Sequence, residues 1–523
     1  MQHPLYLTGE HGQTPGAGDG LSAESGSGWL ALLAGGMAFL VYWRTMAPTV
    51  YGVDSAELTT GAYVLGIVHA PGSPVFLLLG HAFAWLPFGD VGYRLNLLSA
   101  CAAAVAVAFT YAVVARLTGQ RLLSLAGAWF LAFSYYFWVT AIAAELYALH
   151  ACFVIGLIWL ALRWREQQRP SQLCLFALFY GLGLGNHLSL SLLAPGFAWL
   201  IASGRARLWR RPELLAAAAA CGLTGAAVYL YLPLRSAAAP LNFARSSGVD
   251  AATWHGFWWM LTCRMFAAQL FAVAPHRLPA ELATYLYRLW SNFAGLGSLL
   301  GVVGLWADWK RCWRLHLALV LMFAGHLGFM LTYAVGDKEL MMLPTYVIWA
   351  VWSACGADVV SRALTRWARG GVVISGSVLL LMLSAGNLLM NFGYADISED
   401  RSARLRGETI LHGLPPHAVY LGTWLDVPLL QYLQLVEQQR VDVETVNLFF
   451  VPTAGRPELL AQHLREGHAM YTGTPDLLPH DGIGFEYTGD CDCYRIVTSP
   501  PATTRVTEDG DAPNRASGSG HPR

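Results

Sequence analysis

The chain has 523 residues, 55% of them hydrophobic and only 13% charged, and its 33 basic and 33 acidic residues cancel. A soluble domain carries roughly 25% charged residues. With a mean hydropathy of +0.43 and recurrent apolar runs of bilayer length, this is a multi-spanning membrane protein rather than a large soluble core. Zero net charge leaves no electrostatic footprint for nucleic acid.

In chain order, residues 1–28 are rich in Gly, Ser and Thr, lack Lys and Arg, and read as a disordered tail. A first span is expected at 29–47, followed by a loop at 48–94. That loop opens with Tyr51-Gly-Val-Asp54-Ser-Ala-Glu57 and runs to His69-Ala-Pro71-Gly72-Ser-Pro74. Asp54 and Glu57 are three apart and share one face of a helix. Pro71 and Pro74 restrict φ while Gly72 frees it, which makes a rigid turn. The same acidic spacing also fits a capping box, with Asp54 on the amide of Glu57 and Glu57 reaching back. Val75 to Phe88 is apolar but short for a span, so a helix at the interface is expected.

Further spans are expected at 95–116, 121–142 and 145–163. The apolar run 172–203 is too long for one helix and is broken at Gly181-Leu-Gly-Leu-Gly-Asn186-His187, giving two short helices. Spans at 212–234, 292–308, 315–334, 343–361 and 372–391 complete a count of eleven, with a Trp- and Arg-rich segment at 235–291. Five short connections are basic: Arg116 with Arg121; Arg163, Arg165 and Arg169; Arg205, Arg207, Arg210 and Arg211; Lys310, Arg311 and Arg314; and Arg362, Arg366 and Arg369. Eleven crossings put all five on one side, which the positive-inside rule makes cytoplasmic. The other face then collects Asp54, Glu57, His69, Glu145, Asn186, His187, Arg235, Asp337, Lys338 and Glu339.

Residues 394–500 have the composition of a soluble α/β domain, which an odd number of crossings places outside the cytoplasm. Strands are expected at 418–422, 443–450, 468–472 and 484–497, with helices at 426–438 and 457–466. Residues 501–523 read as a disordered tail. Seven cysteines lie in or beside apolar runs, where packing is their ordinary role. Cys491 and Cys493 are too close in sequence for an easy disulfide in a strand and too few for a zinc site.

A carboxylate at the membrane surface acts as a general base if burial lifts its pKa. It can take the proton of an acceptor hydroxyl whose oxygen attacks a sugar carbon, and a lipid-phosphate leaving group then needs cationic or amide donors. Arg235, at the outer end of a span, is such a donor or else a snorkelling arginine. His69 orients donor or acids, or merely bonds locally. Glu145 at a span junction suits a helix dipole. Asn186 and His187 sit at a helix break at membrane depth, either functional or satisfying freed backbone groups. Asp337, Lys338 and Glu339 hold phosphate and acceptor, or form a solvated loop. Trp254, Trp258 and Trp259 with Arg264 are a lipid or sugar platform, or an aromatic belt.

The run Asp54-Ser-Ala-Glu57, His69-Ala-Pro71-Gly72-Ser-Pro74 and Tyr93-Arg94-Leu-Asn96-Leu-Leu-Ser99-Ala100 resembles the N-terminal signature of the domain of unknown function 2723, or glycosyltransferase family 117. The resemblance extends to Gly183-Leu-Gly-Asn186-His187, Tyr231-Leu-Pro233-Leu-Arg235 and Asp337-Lys338-Glu339. The turn reads His-Ala-Pro-Gly-Ser-Pro where that family has His-Pro-Pro-Gly-Tyr-Pro, which removes an aromatic ring. The family is related to protein O-mannosyltransferases and to the C-type glycosyltransferases. The resemblance implies a mainly α, polytopic helical bundle that takes a sugar, mannose-like, from a polyprenyl-phosphate carrier, with inversion, to a hydroxyl of a protein or glycan outside the cytoplasmic (inner) membrane. It implies a catalytic acid in the first outer loop, where Asp54 and Glu57 stand, and we read one of them as the base and the other as orienting the acceptor or a metal. His69, Arg94, Arg235 and Lys338 are our candidates for the donor phosphate and sugar, Arg94 otherwise anchoring the next span. No cofactor or metal site is expected, a divalent ion being left open. A flippase of lipid-linked sugars, as broken helices suggest, and a non-catalytic membrane scaffold are the rival readings. Paired ionisable groups at mid-bilayer would favour the flippase. An Ala- and Arg-rich composition suggests a bacterium.

Overall fold

The computed structural model describes residues 20–204, 208–307, 309–336, 338–367 and 375–498. The first nineteen residues of the expected tail 1–28 and the expected tail 501–523, together with Arg205, Arg207, Asp337 and Arg369, lie outside the described residues. The chain divides into two compact units. One comprises the residues up to Glu408 together with Trp424–Val441, and the other comprises Thr409–Thr423 and the residues from Asp442 on. The stretch 394–500 therefore contributes to both.

The first unit is helical. Helix α1 (Gly20–Thr45) starts within the stretch expected as tail. There follow α2 (Asp54–Val64), α3 (Pro74–Ala84), α4 (Val91–Thr118), α5 (Arg121–Ala132), α6 (Tyr135–Ala141), α7 (Leu146–Gln167), α8 (Pro170–Leu184) and, after a 3-10 turn at Leu188–Leu193, α9 (Ala194–Ala202). Helix α4 is central and packs against α1, α5 and α7. Its small residues Ala100, Ala103, Ala106 and Val107 are buried, which lets neighbouring backbones approach.

The described helices give fewer clear crossings than the eleven expected. Among the described residues, six helices are long and apolar enough to cross a membrane, or up to eight if each of two bent pairs is one span. The expected single span 121–142 is bent by 71° between α5 and α6, and 275–306 by 106°. Hydropathy reads apolar length but not direction, so a bend inside an apolar run escapes it. The break at 185–187 is present, and α8 and α9 are both shorter than a span. Leu223, Leu389 and Met390 are 67–79% exposed on spanning helices, an arrangement suited to lipid rather than water.

The helices Leu296–Ala307 and Leu343–Trp367 cross at glycines. A Cβ on Gly304 would run into the Trp352 carbonyl oxygen, and one on Gly356 into that of Leu300.

The second unit carries a five-stranded sheet: β1 (Val419–Gly422), β2 (Glu444–Asn447), β3 (Met470–Thr472), β4 (Ile483–Thr488) and β5 (Cys493–Thr498), in the order β2-β1-β3-β5-β4. The first three pair in parallel, while β3–β5 and β4–β5 are antiparallel. The core is Val419, Leu421, Leu448, Leu460, Met470 and Ile496. The strand expected at 484–497 is a hairpin, and its turn corrects the reading of the cysteines. Asp492 has φ +48°, and Cys491 and Cys493 form a disulfide with Cα atoms 5.2 Å apart. A turn brings together side chains that a continuous strand holds apart.

Gly356→Val is expected to force the two glycine-bearing helices apart and to lower stability by roughly 1–3 kcal/mol. The check is a thermal unfolding midpoint in detergent, and an unchanged midpoint would contradict this packing.

Candidate active site

The loop 48–94 is placed by buried polar contacts. Asn96, fully buried on α4, donates from Nδ2 to the carbonyls of Ala47 and Thr49 (both 2.9 Å) and accepts from the Ala144 amide at 2.9 Å. Both ends of the loop's first turn are thereby fixed. Val53, just before α2, has φ +56°, a conformation costly for a β-branched residue, by about 1–3 kcal/mol. Helix α2 begins on the residue that follows, Asp54.

The acids do not close a capping box, since the N-cap position belongs to Val53. Glu57 is buried, 4% exposed, and accepts from the His69 amide at 2.7 Å and from His69 Nδ1 at 2.5 Å. One carboxylate thus holds both the backbone and the ring of His69. Burial raises the Glu57 pKa, His69 opposes the rise, and the Asp54 charge adds to it. Asp54 is only part-buried and accepts from the Trp424 indole Nε1 at 2.7 Å. The Trp424 ring stands edge-on to His69 (centroids 6.2 Å) and to Phe243 (6.1 Å). Trp424 arrives because the helix Val427–Leu435 packs on α2. Arg404 anchors the same segment, binding both Glu437 oxygens (2.6 and 2.7 Å) and reaching Asp90 at 3.3 Å.

The turn after His69 is docked on both sides. The Ile67 amide donates to Leu241, the Phe243 amide to Ile67 (both 2.8 Å), and the Val75 amide to Gly185 at 3.1 Å. The last bond lays the turn against the helix break. Asn186 is fully buried, with Nδ2 on the Leu146 carbonyl (3.2 Å) and Oδ1 lacking a partner. His187 Nδ1 meets Ser189 Oγ at 2.8 Å, and that oxygen meets His150 Nε2 at 3.0 Å. The two rings lie 4.9 Å apart, and His187 is within electrostatic reach of His69 and His326.

The other predicted residues have partners of their own. Arg94 donates to the carbonyls of Phe88, Ala84 and Gly89 (2.9, 2.5 and 2.8 Å), so it anchors the α3–α4 connection. Arg235 donates to Leu65 and Val64 (2.8 and 3.2 Å) and caps the carboxyl end of α2, where a cation complements the helix dipole. Asp54 is at the opposite end of this eleven-residue helix, about 16 Å away. Lys338 is buried against Glu281 at 2.9 Å, and Glu339 pairs with Arg288 at 3.2 Å, both partners lying on the helix Leu278–Asn292. Glu145 is the N-cap residue of α7, its amide on Ser99 Oγ at 3.1 Å. Trp254 and Trp258 touch each other (5.4 Å), and Trp254 is 76% exposed, the disposition of an interfacial belt. Sequence reasoning missed Trp424, which lies in the stretch read as a soluble domain. It also missed His150 and His326, whose signal was a histidine inside an apolar run.

Residues 54–210 match the family described as Protein O-mannosyl-transferase TMEM260 N-terminal domain. Protein O-mannosyl-transferase TMEM260 of Mus musculus is 34% identical over 260 residues, covering 46% of this chain and 36% of that protein. The Dictyostelium discoideum protein of the same name is 24% identical over 465 residues, covering 78% of this chain and 56% of that protein. The chain thus spans between about a third and just over half the length of these curated relatives. ArnT from Cupriavidus metallidurans, solved with undecaprenyl phosphate, superposes with a TM-score of 0.58 at 12% identity over 90% of this chain and 98% of that one. The Archaeoglobus fulgidus oligosaccharyltransferase, solved with Zn and sulfate, gives 0.50 at 11% identity, over 88% and 72%. At such identities the likeness is one of fold alone.

A glutamate whose folded pKa is raised contributes stability at low pH that is lost as pH rises through that pKa. Glu57→Gln cannot titrate. The stability of the native sequence relative to Glu57→Gln is therefore expected to fall as pH increases from about 4.5 upward. Paired unfolding midpoints between pH 4 and 8 measure it. A difference that grows with pH would mean the carboxylate is stabilised in its charged form.

Proposed function

We propose that the protein is an integral-membrane glycosyltransferase of the protein O-mannosyltransferase type, in the family 117 grouping. It transfers a mannose-like sugar from a polyprenyl phosphate to a protein hydroxyl at the outer face of the cytoplasmic membrane. The observation that carries this reading is the division of labour between the two acids on α2. Asp54 is part-exposed and fixed by an indole donor, and Glu57 is buried and committed to His69. Asp54 then acts as the base and Glu57 as the positioning residue. Asp54 accepts the acceptor's O–H proton while that oxygen bonds to the anomeric carbon. The carbon–oxygen bond to the lipid phosphate breaks on the opposite side, and the phosphate leaves with the bonding pair, which inverts the centre.

On the donor side the reading keeps His69 and His187. Arg94, Arg235 and Lys338 are left out of it, because each bonds carbonyls or Glu281. The buried histidines lie near helix ends rather than mid-span, His150 in the first turns of α7 and His326 in the last turns of Trp309–Thr332. This favours surface chemistry over carriage across the bilayer. The curated relatives' names support the reaction class, and the likeness to ArnT supports a lipid-phosphate donor.

Purified protein given polyprenyl-phosphate mannose and Ser/Thr-containing peptides is expected to transfer sugar. Asp54→Asn should lower the rate by about 10²–10⁴-fold while donor binding persists. Wild-type turnover in a folded, donor-binding Asp54→Asn protein would overturn the assignment. Trp424→Phe, which removes the indole donor but keeps the ring, should lower the rate less than Asp54→Asn does.

A further inference from the structure

The helix Arg456–Arg465 of the second unit ends in a Schellman motif. Gly467 adopts φ +76°, the His468 amide bonds the His463 carbonyl at 3.1 Å, and the Gly467 amide bonds that of Leu464 at 3.2 Å. This motif places the side chains three residues before and two after the cap side by side, and ordinarily both are hydrophobic. Here they are His463 and His468, with Glu466 at the cap. His463 Nδ1 lies 3.3 Å from His468 Nδ1, and Glu466 Oε2 lies 3.6 Å from the first and 3.4 Å from the second.

These spacings carry the inference. Three donors each 2.0–2.1 Å from a tetrahedral zinc ion stand about 3.3–3.4 Å apart. The remaining carboxylate oxygen, Oε1, accepts from Gln462 Nε2 at 3.1 Å, an outer contact of the kind that aims a metal-bound carboxylate. The site also sits at the negative end of a helix, where a cation is favoured.

We propose that His463, Glu466 and His468 bind one zinc ion, two imidazole nitrogens and one carboxylate oxygen, with water at the fourth position. The imidazole-rich donor set selects zinc or a neighbouring transition ion over magnesium or calcium. The ion clips the end of the helix to the segment entering β3. It is a structural site, independent of the acids on α2.

The test uses the full chain in detergent, without a polyhistidine tag, and titrates Zn²⁺ against a chromogenic chelator. One tight equivalent is expected. His468→Ala, a half-exposed residue whose loss leaves the buried His463 in place, should weaken that equivalent by at least about tenfold. Glu466→Gln should do likewise. Zinc should raise the unfolding midpoint of the native sequence but not that of His468→Ala, whose zinc-free midpoint reports that it folds. Unchanged affinity in both folded variants, or no tight equivalent in the native chain, would overturn the site.

Discussion

Burial of one carboxylate against one histidine organises the first unit. Glu57 takes both the amide and the ring nitrogen of His69, two bonds that a surface acid could spread among waters. A buried acceptor left without them would cost several kcal/mol. The pair therefore ties the loop that follows α2 back onto α2, and everything that borders the pair is fixed in turn. Trp424 packs across His69, His187 lies within its field, and Asp54 remains at the open end of the helix.

The cations one would assign to a phosphate from their position are used to hold this loop. Arg235 caps the end of α2, and Arg94 closes the connection behind it. A guanidinium suits this work because its planar fork reaches several carbonyls at once. The side chains that bond the two acids on α2 are an imidazole and an indole.

The two units differ in what stabilises them. Small residues let helices approach until carbonyls meet the space over a glycine, as at Gly304 and Gly356, and association in lipid relies on that closeness. The second unit is a small sheet around Val419, Leu421 and Met470. It carries a Cys491–Cys493 disulfide with, in our proposal, a metal. Small domains commonly need such additions.

Membrane residence, the acidic pair three residues apart, the rigid turn after His69 and the helix break at Asn186-His187 were legible in the chain alone, because each is a local matter of hydropathy, spacing or backbone restriction. The number of crossings was not, because apolar runs such as 121–142 bend without any change in composition. Nor was the identity of what faces each charge. Glu57 and His69 are twelve residues apart, Trp424 and Asp54 are 370 apart, and Arg404 meets both Asp90 and Glu437. Hydrogen bonds form between groups that packing brings within about 3 Å. Local sequence could therefore nominate Asp54 and Glu57, but only the tertiary arrangement gave them different surroundings.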